Sequence, residues 1–181
     1  MNLWHDVPKG EKCPEEFNCI IEIPQGSHNK YEIDKETGLI ALDRVNYGPT
    51  AYPFDYGFVP QTLWEDGDAL DVVVLATHPF HPGIMVKVRP VAMMEMTDCG
   101  ESDNKIICVP VDDKRWKHVK DLADVNPHFL KEMKVFWEMN KALKGDDPSQ
   151  YPIIVHGYKG KDEAMTAVER SIELYKEKFA K

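Results

Sequence analysis

Asp66-Gly67-Asp68-Ala69-Leu70-Asp71-Val72-Val73-Val74-Leu75 places three carboxylates in six residues around one glycine, directly before an unbroken apolar run. From Ala69 to Ala76 the chain reads as a continuous apolar strand, as expected where both faces are covered. A loop that opens a buried strand is a rigid place from which to aim acids. Carboxylate oxygens are also the ligands that hard cations prefer. Taken alone, the triplet reads equally well as a solvated acidic turn, so the rest of the chain decides.

Working outward, most of the remaining chain up to about Val111 also reads as strands. Phe17 to Ile23 ends at Pro24. Lys30-Tyr31-Glu32-Ile33-Asp34 alternates strictly, turns at Glu36-Thr37-Gly38 and returns as Leu39 to Val45, which is a hairpin pattern. Met85 to Arg89 alternates and leads through Pro90 into Val91 to Met96. Lys105 to Val111 is a further strand. Ala51 to Pro60 reads as a packed aromatic loop bounded by prolines. Asp98 to Lys105 reads as a loop between two strands.

Two helices follow late. Asn126-Pro127 supplies an N-cap and a proline at the first helical position. Phe129, Met133, Phe136, Trp137 and Leu143 recur at helical spacing, and Gly145 ends the run. A second helix runs from about Asp162 to Phe179, with Ala164, Val168, Ile172, Tyr175 and Phe179 as its apolar stripe. There are no repeats, low-complexity tracts or interdomain linkers. The expected architecture is a single domain, 1–181, mainly β with peripheral helices: a small antiparallel barrel or sandwich with two helices packed on it.

Composition narrows the function. The chain has 181 residues, 43% hydrophobic and 29% charged, with a formal net charge of −9. Such a surface repels nucleic-acid phosphate and anionic lipid, so neither is an expected partner. An anionic substrate stays compatible if metal ions and local basic groups reverse the sign in one cleft. Cys13, Cys19, Cys99 and Cys108 form no CxxC pair and read as reduced thiols, partly in the core. Asp6, Lys9, Glu11 and Lys12 interrupt any N-terminal apolar stretch, and no run of about 18 apolar residues exists. A soluble cytoplasmic protein is the expectation.

Other acids fall at strand ends and in loops, interleaved with bases. Glu22 ends one strand, and Glu32 follows Lys30 by two. Asp98 and Asp103 share a loop, and Lys105 follows Asp103 by two. Lys30 and Arg44 lie on adjacent hairpin strands at positions that face one side. Many carboxylates beside Lys and Arg suit a phosphate substrate clamped by divalent ions. The metals neutralise phosphate, the acids hold the metals, and the bases take the remaining oxygens. Tyr52 and Tyr56, four apart between prolines, are phenols that need polar partners when buried. No GxxxxGK[ST] loop is present.

Taken in order, Lys30-x-Glu32, Arg44, Tyr52-Pro-x-x-Tyr56-Gly, Asp66-Gly-Asp68-x-x-Asp71 and Asp98-x(4)-Asp103-x-Lys105 resemble the family I soluble inorganic pyrophosphatases in their short prokaryotic form. The resemblance runs from about Glu22 to Lys141. It implies a five-stranded OB-like β-barrel, Mg²⁺-dependent hydrolysis of diphosphate to two orthophosphates with Mn²⁺ as a substitute, and a homohexamer. It also implies roles for individual residues. Asp66, Asp71 and Asp103 bind the tightest metal, and Asp71 bridges to a second. Asp98 and Asp103 hold a metal carried by the substrate, and Glu32 assists another. Asp68 is the general base for the attacking water. Lys30, Arg44, Tyr56, Lys105 and Lys141 contact phosphate oxygens, and Glu22 and Tyr52 complete the site.

Two departures from the family pattern stand out. Asn140 precedes Lys141 where the family usually has a tyrosine, and one residue fewer separates Glu22 from Lys30. Two rival functions remain: a non-catalytic OB-like module that binds a phosphorylated ligand, and a hydrolase for nucleotides or polyphosphate. Loss of Asp68 or Asp71 would mark the first, and both are present. A pocket crowded with acids disfavours the bulky base of a nucleotide.

Overall fold

In the computed structural model, residues 1–179 are described. The apolar run lies in strand β5 (Asp71–Val74), and its residues are buried on both faces. Side chains alternate across a strand. Val72 and Val74 therefore join a cluster with Ala164, Val168 and Ile172 of the C-terminal helix. Val73 and Leu75 join a second cluster with Met133, Phe136 and Trp137 of the other helix. Each fully buried valine contributes roughly 1.5–3 kcal/mol. This two-sided cover is why the run shows no polar alternation.

Five strands close a ring in the order β1 (Phe17–Ile23), β4 (Asp55–Phe58), β5, β8 (Lys105–Pro110) and β6 (Met85–Asp98), with β6 pairing back to β1. All of these pairs are antiparallel except β5–β8, which is parallel with Asp71 opposite Lys105. That pair departs from the all-antiparallel expectation. It sets an acid and a base side by side at the ends of two central strands.

Strand β6 runs for 14 residues without ending at Pro90. A register shift between Pro90 and Ala92 absorbs the missing N–H. Its second half pairs with β9 (Ile153–Lys159), which the sequence reading missed. Its last residues pair with the short β7 (Glu101–Ser102). Strands β2 (Asn29–Ile33) and β3 (Ile40–Val45) form the expected hairpin as a separate two-stranded sheet, with Lys30 opposite Arg44. Strand β4 lies where a packed loop was expected.

Helix α1 (Pro127–Asn140) starts at its predicted cap, where the Asn126 side chain accepts from His128 N at 2.9 Å. It buries Met133, Phe136, Trp137 and Asn140 and ends before Leu143, which is exposed. Helix α2 (Lys161–Phe179) matches its prediction, although Phe179 is exposed and lies edge-on to Trp4. All four cysteines are free, with Cys19 and Cys108 buried.

Candidate active site

The acidic turn is built by its own backbone. Trp64 N donates to Asp68 O at 2.7 Å, and Gly67 N donates to Trp64 O at 3.1 Å. Asp68 N donates to the Asp66 carboxylate at 3.0 Å. Gly67 has φ +89°, a conformation that side chains with a Cβ rarely adopt. The turn delivers Asp66 and Asp68 to the mouth of a cavity of about 470 Å³, with Asp71 at the start of β5 beside them.

The same cavity collects Glu22 from β1, Lys30 and Glu32 from β2, Arg44 from β3 and Tyr56 from β4. Asp98, Asp103 and Lys105 come from the β6–β8 region, and Asn140 and Lys141 from the end of α1. Of the residues singled out in the sequence, Tyr52 alone does not line the cavity. It is fully buried behind the wall, edge-on to Phe54 and Trp137 and tilted against Tyr56 and Phe136.

Acids and bases meet in pairs. Lys105, 2% exposed, reaches Asp71 at 2.5 Å and also pairs with Asp103. Burial opposes the Lys105 charge, but Asp103 and Asp71 outweigh it and hold its pKa above the ordinary value. The faces of Trp137 and Tyr56 lie 5.3 and 5.6 Å from its ammonium. Lys141 pairs with Asp98. Burial works against the Asp98 carboxylate, yet Lys141 holds its pKa below the usual range. Lys30 pairs with Glu32 and, at 3.1 Å, with Asp43, which also takes Arg44 at 2.6 Å.

Three acids carry the opposite shift. Burial, with Asp71 and Asp103 close by, pushes Asp66 up to about 6. Burial likewise raises Asp71. Glu22, 5% exposed and accepting from Ile33 N at 2.7 Å, is pushed well up by burial and by Asp71. Tyr56 faces Asp71, and burial raises its phenol well above the ordinary value.

This donor set suits a hard divalent cation. It is all oxygen, it is crowded enough to raise acid pKa values, and Asp98 Oδ1 is buried without a hydrogen-bond partner. Among the described residues no three acids close around one point at coordinating range. Lysine ammoniums supply the neutralising charge between them instead. An added divalent cation offsets the same repulsion, and protons compete with it below about pH 6, where Asp66 titrates.

A comparison with known proteins identifies the architecture. The family model described as inorganic pyrophosphatase matches residues 19–176. The chain belongs to the inorganic pyrophosphatase family. It is 40% identical over 176 residues to the inorganic pyrophosphatase of Picrophilus torridus, covering 97% of both chains. It is 42% identical to the soluble inorganic pyrophosphatase of Oryza sativa subsp. indica over 95% of this chain and 78% of that one. The crystal structure of the inorganic pyrophosphatase from Thermus thermophilus superposes with a TM-score of 0.92 at 42% identity, covering 97% of this chain and 99% of that one.

Against that pyrophosphatase frame, sequence reasoning passed over three residues of the site. Asp43 ties Lys30 to Arg44, and Trp4 and Lys35 line the cavity. Asp43 was legible from its place beside Arg44 on the hairpin. Trp4 was not, because nothing local tells which loop an N-terminal tryptophan will cover.

Asn140 is 4% exposed and lines the cavity, with Oδ1 unpartnered. It lies against the Tyr52 hydroxyl, which also lacks a well-formed hydrogen bond. Lys141 lines the cavity, whereas Lys144 rests over the Tyr151 ring at 4.4 Å. Asparagine is shorter than tyrosine, so an amide here would reach a phosphate oxygen of bound diphosphate only at longer range or through water. A hydrogen bond to a charged group is worth about 1.5–3 kcal/mol. Asn140→Tyr is expected to lower KM for diphosphate or raise turnover several-fold. Unchanged or poorer kinetics in a normally folded variant would show that another donor already makes the contact.

Proposed function

We propose that this cavity hydrolyses inorganic diphosphate to two orthophosphates by an in-line attack of water, with Mg²⁺ as the working cation. The observation that carries the reading is the meeting of Asp66, Asp68, Asp71, Asp98 and Asp103 with Lys30, Arg44, Lys105 and Lys141 in one cavity. The family of the chain supports it. A binding module without turnover is not favoured, since Asp68 and Asp71 both line the cavity.

In this reading Asp66, Asp71 and Asp103 would hold the tightest cation, Asp98 with Asp103 would hold one carried by the substrate, and Glu32 would assist. A bound divalent cation supplies acidity to coordinated water and charge to the phosphate oxygens. Asp68 takes the proton of the attacking water. Lys30, Arg44, Tyr56, Lys105 and Lys141 orient the phosphates and stabilise the charge that grows on the leaving one. Lys105 suits this task because burial among aromatic rings leaves it few alternative positions. Glu22 and Tyr52 shape the floor behind Asp71 and Tyr56.

The reading takes the chain as one catalytic domain that assembles as a hexamer. Val135, Met139 and Leu143 on and after α1, and Ile154 on β9, give it an exposed apolar surface to bury. No helix among the described residues is long and apolar enough to cross a membrane. Cytoplasmic residence is part of the same proposal.

The experiment is orthophosphate release from diphosphate, ATP and tripolyphosphate, each with Mg²⁺, with Mn²⁺ and with chelator, alongside the molar mass of the same sample by light scattering. Release from diphosphate that needs the metal and exceeds release from the longer substrates is expected. No release from diphosphate with Mg²⁺ at mildly alkaline pH refutes the reading, and a fully active monomer refutes the hexamer.

A further inference from the structure

Several acids of the cavity are matched to ammonium groups: Asp71 and Asp103 to Lys105, Asp98 to Lys141, and Glu32 to Lys30. Asp68 follows the same arrangement, but its partner is Lys35, which the mechanism above leaves without a role. Among the described residues Lys35 is the one cation paired with Asp68. The contact is an ion pair through Oδ1, an atom sealed from solvent that has no other polar partner among the described residues. The Asp68 side chain as a whole is half-exposed, so Oδ2 is the oxygen left open to the cavity.

Lys35 makes two further contacts. It follows the end of β2, where its backbone oxygen accepts from the Asn2 side chain at 3.4 Å. Its ammonium lies 5.9 Å from the centre of the Trp4 ring. Trp4 is a fixed surface: it is buried, and its indole N–H donates to Thr62 O at 2.7 Å. The N-terminal segment, the hairpin and the acidic turn therefore converge on one carboxylate.

A general base works only while its oxygen stays within hydrogen-bond reach of the proton it takes. A misplacement of about 1 Å can cost on the order of a hundredfold in rate. Asp68 stands on a turn, without the strand that steadies Asp71. A cation on one oxygen removes the freedom of the carboxylate to swing and presents the other oxygen to the attacking water. We propose that Lys35, seated against Trp4, is a positioning residue that holds the Asp68 carboxylate in its working orientation. This rests on Asp68 being the base.

The test uses the full chain with Lys35→Met, Lys35→Arg, Asp68→Asn and the Lys35→Met/Asp68→Asn double variant, with kcat and KM measured separately at saturating Mg²⁺. Lys35→Met is expected to lower kcat about tenfold and to leave KM and the Mg²⁺ half-saturation within about twofold. Lys35→Arg restores most of the loss. The double variant falls no lower than Asp68→Asn alone, because Lys35 acts through Asp68. Lys35 is 60% exposed, so the thermal midpoint should not move.

Several outcomes overturn the proposal. A raised KM with unchanged kcat makes Lys35 a substrate contact. An additive loss in the double variant places its action elsewhere. Unchanged kinetics leave it a solvated lysine. If Asp68→Asn keeps its activity, the assignment of the base fails first and Lys35 with it. If Asp68→Asn is inactive while Lys35→Met is normal, only the role of Lys35 falls.

Discussion

Asp68→Asn is expected to lose roughly 10²–10⁴-fold in turnover while keeping tight Mg²⁺ binding, whereas Asp71→Asn loses both. The difference comes from where the two acids stand. Asp71 is at the start of β5, opposite Lys105 across a parallel strand pair, faced by Tyr56 and close to Asp103. Removing its charge leaves Lys105, which is 2% exposed, with Asp103 as its remaining ion-pair partner. It also removes a central oxygen from the proposed cation site. Asp68 is half-exposed on the turn, away from that buried pair. Its amide replacement keeps the turn, because the turn bonds use backbone N–H and C=O and the Asp66 side chain. Calorimetric titration of both variants with Mg²⁺, beside their turnover, separates the roles. Equal loss of metal affinity in the two would refute the assignment of Asp68 as base.

How far the sequence could be read depended on whether a residue's role was local. The acidic turn was legible because residues 64–68 close it among themselves, and Lys30 with Arg44 because a hairpin sets their strands side by side, although the register shift between Lys30 and Tyr31 that brings the two opposite each other was not. The α1 start was legible because Asn126 and Pro127 act within one turn of helix. Its end was not. Leu143 continued the apolar spacing, but the helix stops at Asn140, and nothing in the spacing shows where packing against β9 runs out. Strand β9 carries its signal openly, with Ile153 and Val155 buried and Ile154 and His156 exposed. It was passed over because its partner, the far half of β6, is some sixty residues away in sequence. The parallel β5–β8 pair could not be read locally either, since an apolar strand does not declare its neighbour's direction. The Lys35–Asp68 contact belongs to the same class.

Strand β4 shows what such a long-range constraint is worth, and Gly57→Ala is expected to be among the most disruptive single substitutions in the barrel. Gly57 lies opposite Ile21 of β1 and Val72 of β5. A Cβ there would stand 1.9 Å from Ile20 O, 2.8 Å from Ile20 C and 3.0 Å from Ile21 Cα. All three are backbone atoms of a fully buried strand, so no side chain can move aside to make room. Relief requires β1 and β4 to separate, which breaks the ring and moves Glu22 on one strand and Tyr56 on the other. Overpacking of this kind costs about 3 kcal/mol, a large part of a total stability of about 5–15 kcal/mol. For a chain of this size that lowers the thermal midpoint by about 6–12 °C. Gly67→Ala is the contrast. There φ is +89° but nothing lies within 4 Å of the added carbon, so the cost is backbone strain of about 1–2 kcal/mol. Calorimetric scans of the two variants should therefore rank Gly57→Ala well below Gly67→Ala. Whatever Gly57→Ala protein remains folded should turn over diphosphate slowly, because Tyr56 and Glu22 no longer meet Asp71 as they do now. A Gly57→Ala enzyme that melts with the parent and keeps its rate would mean that β1 and β4 are not in the close register from which the floor of the site is built.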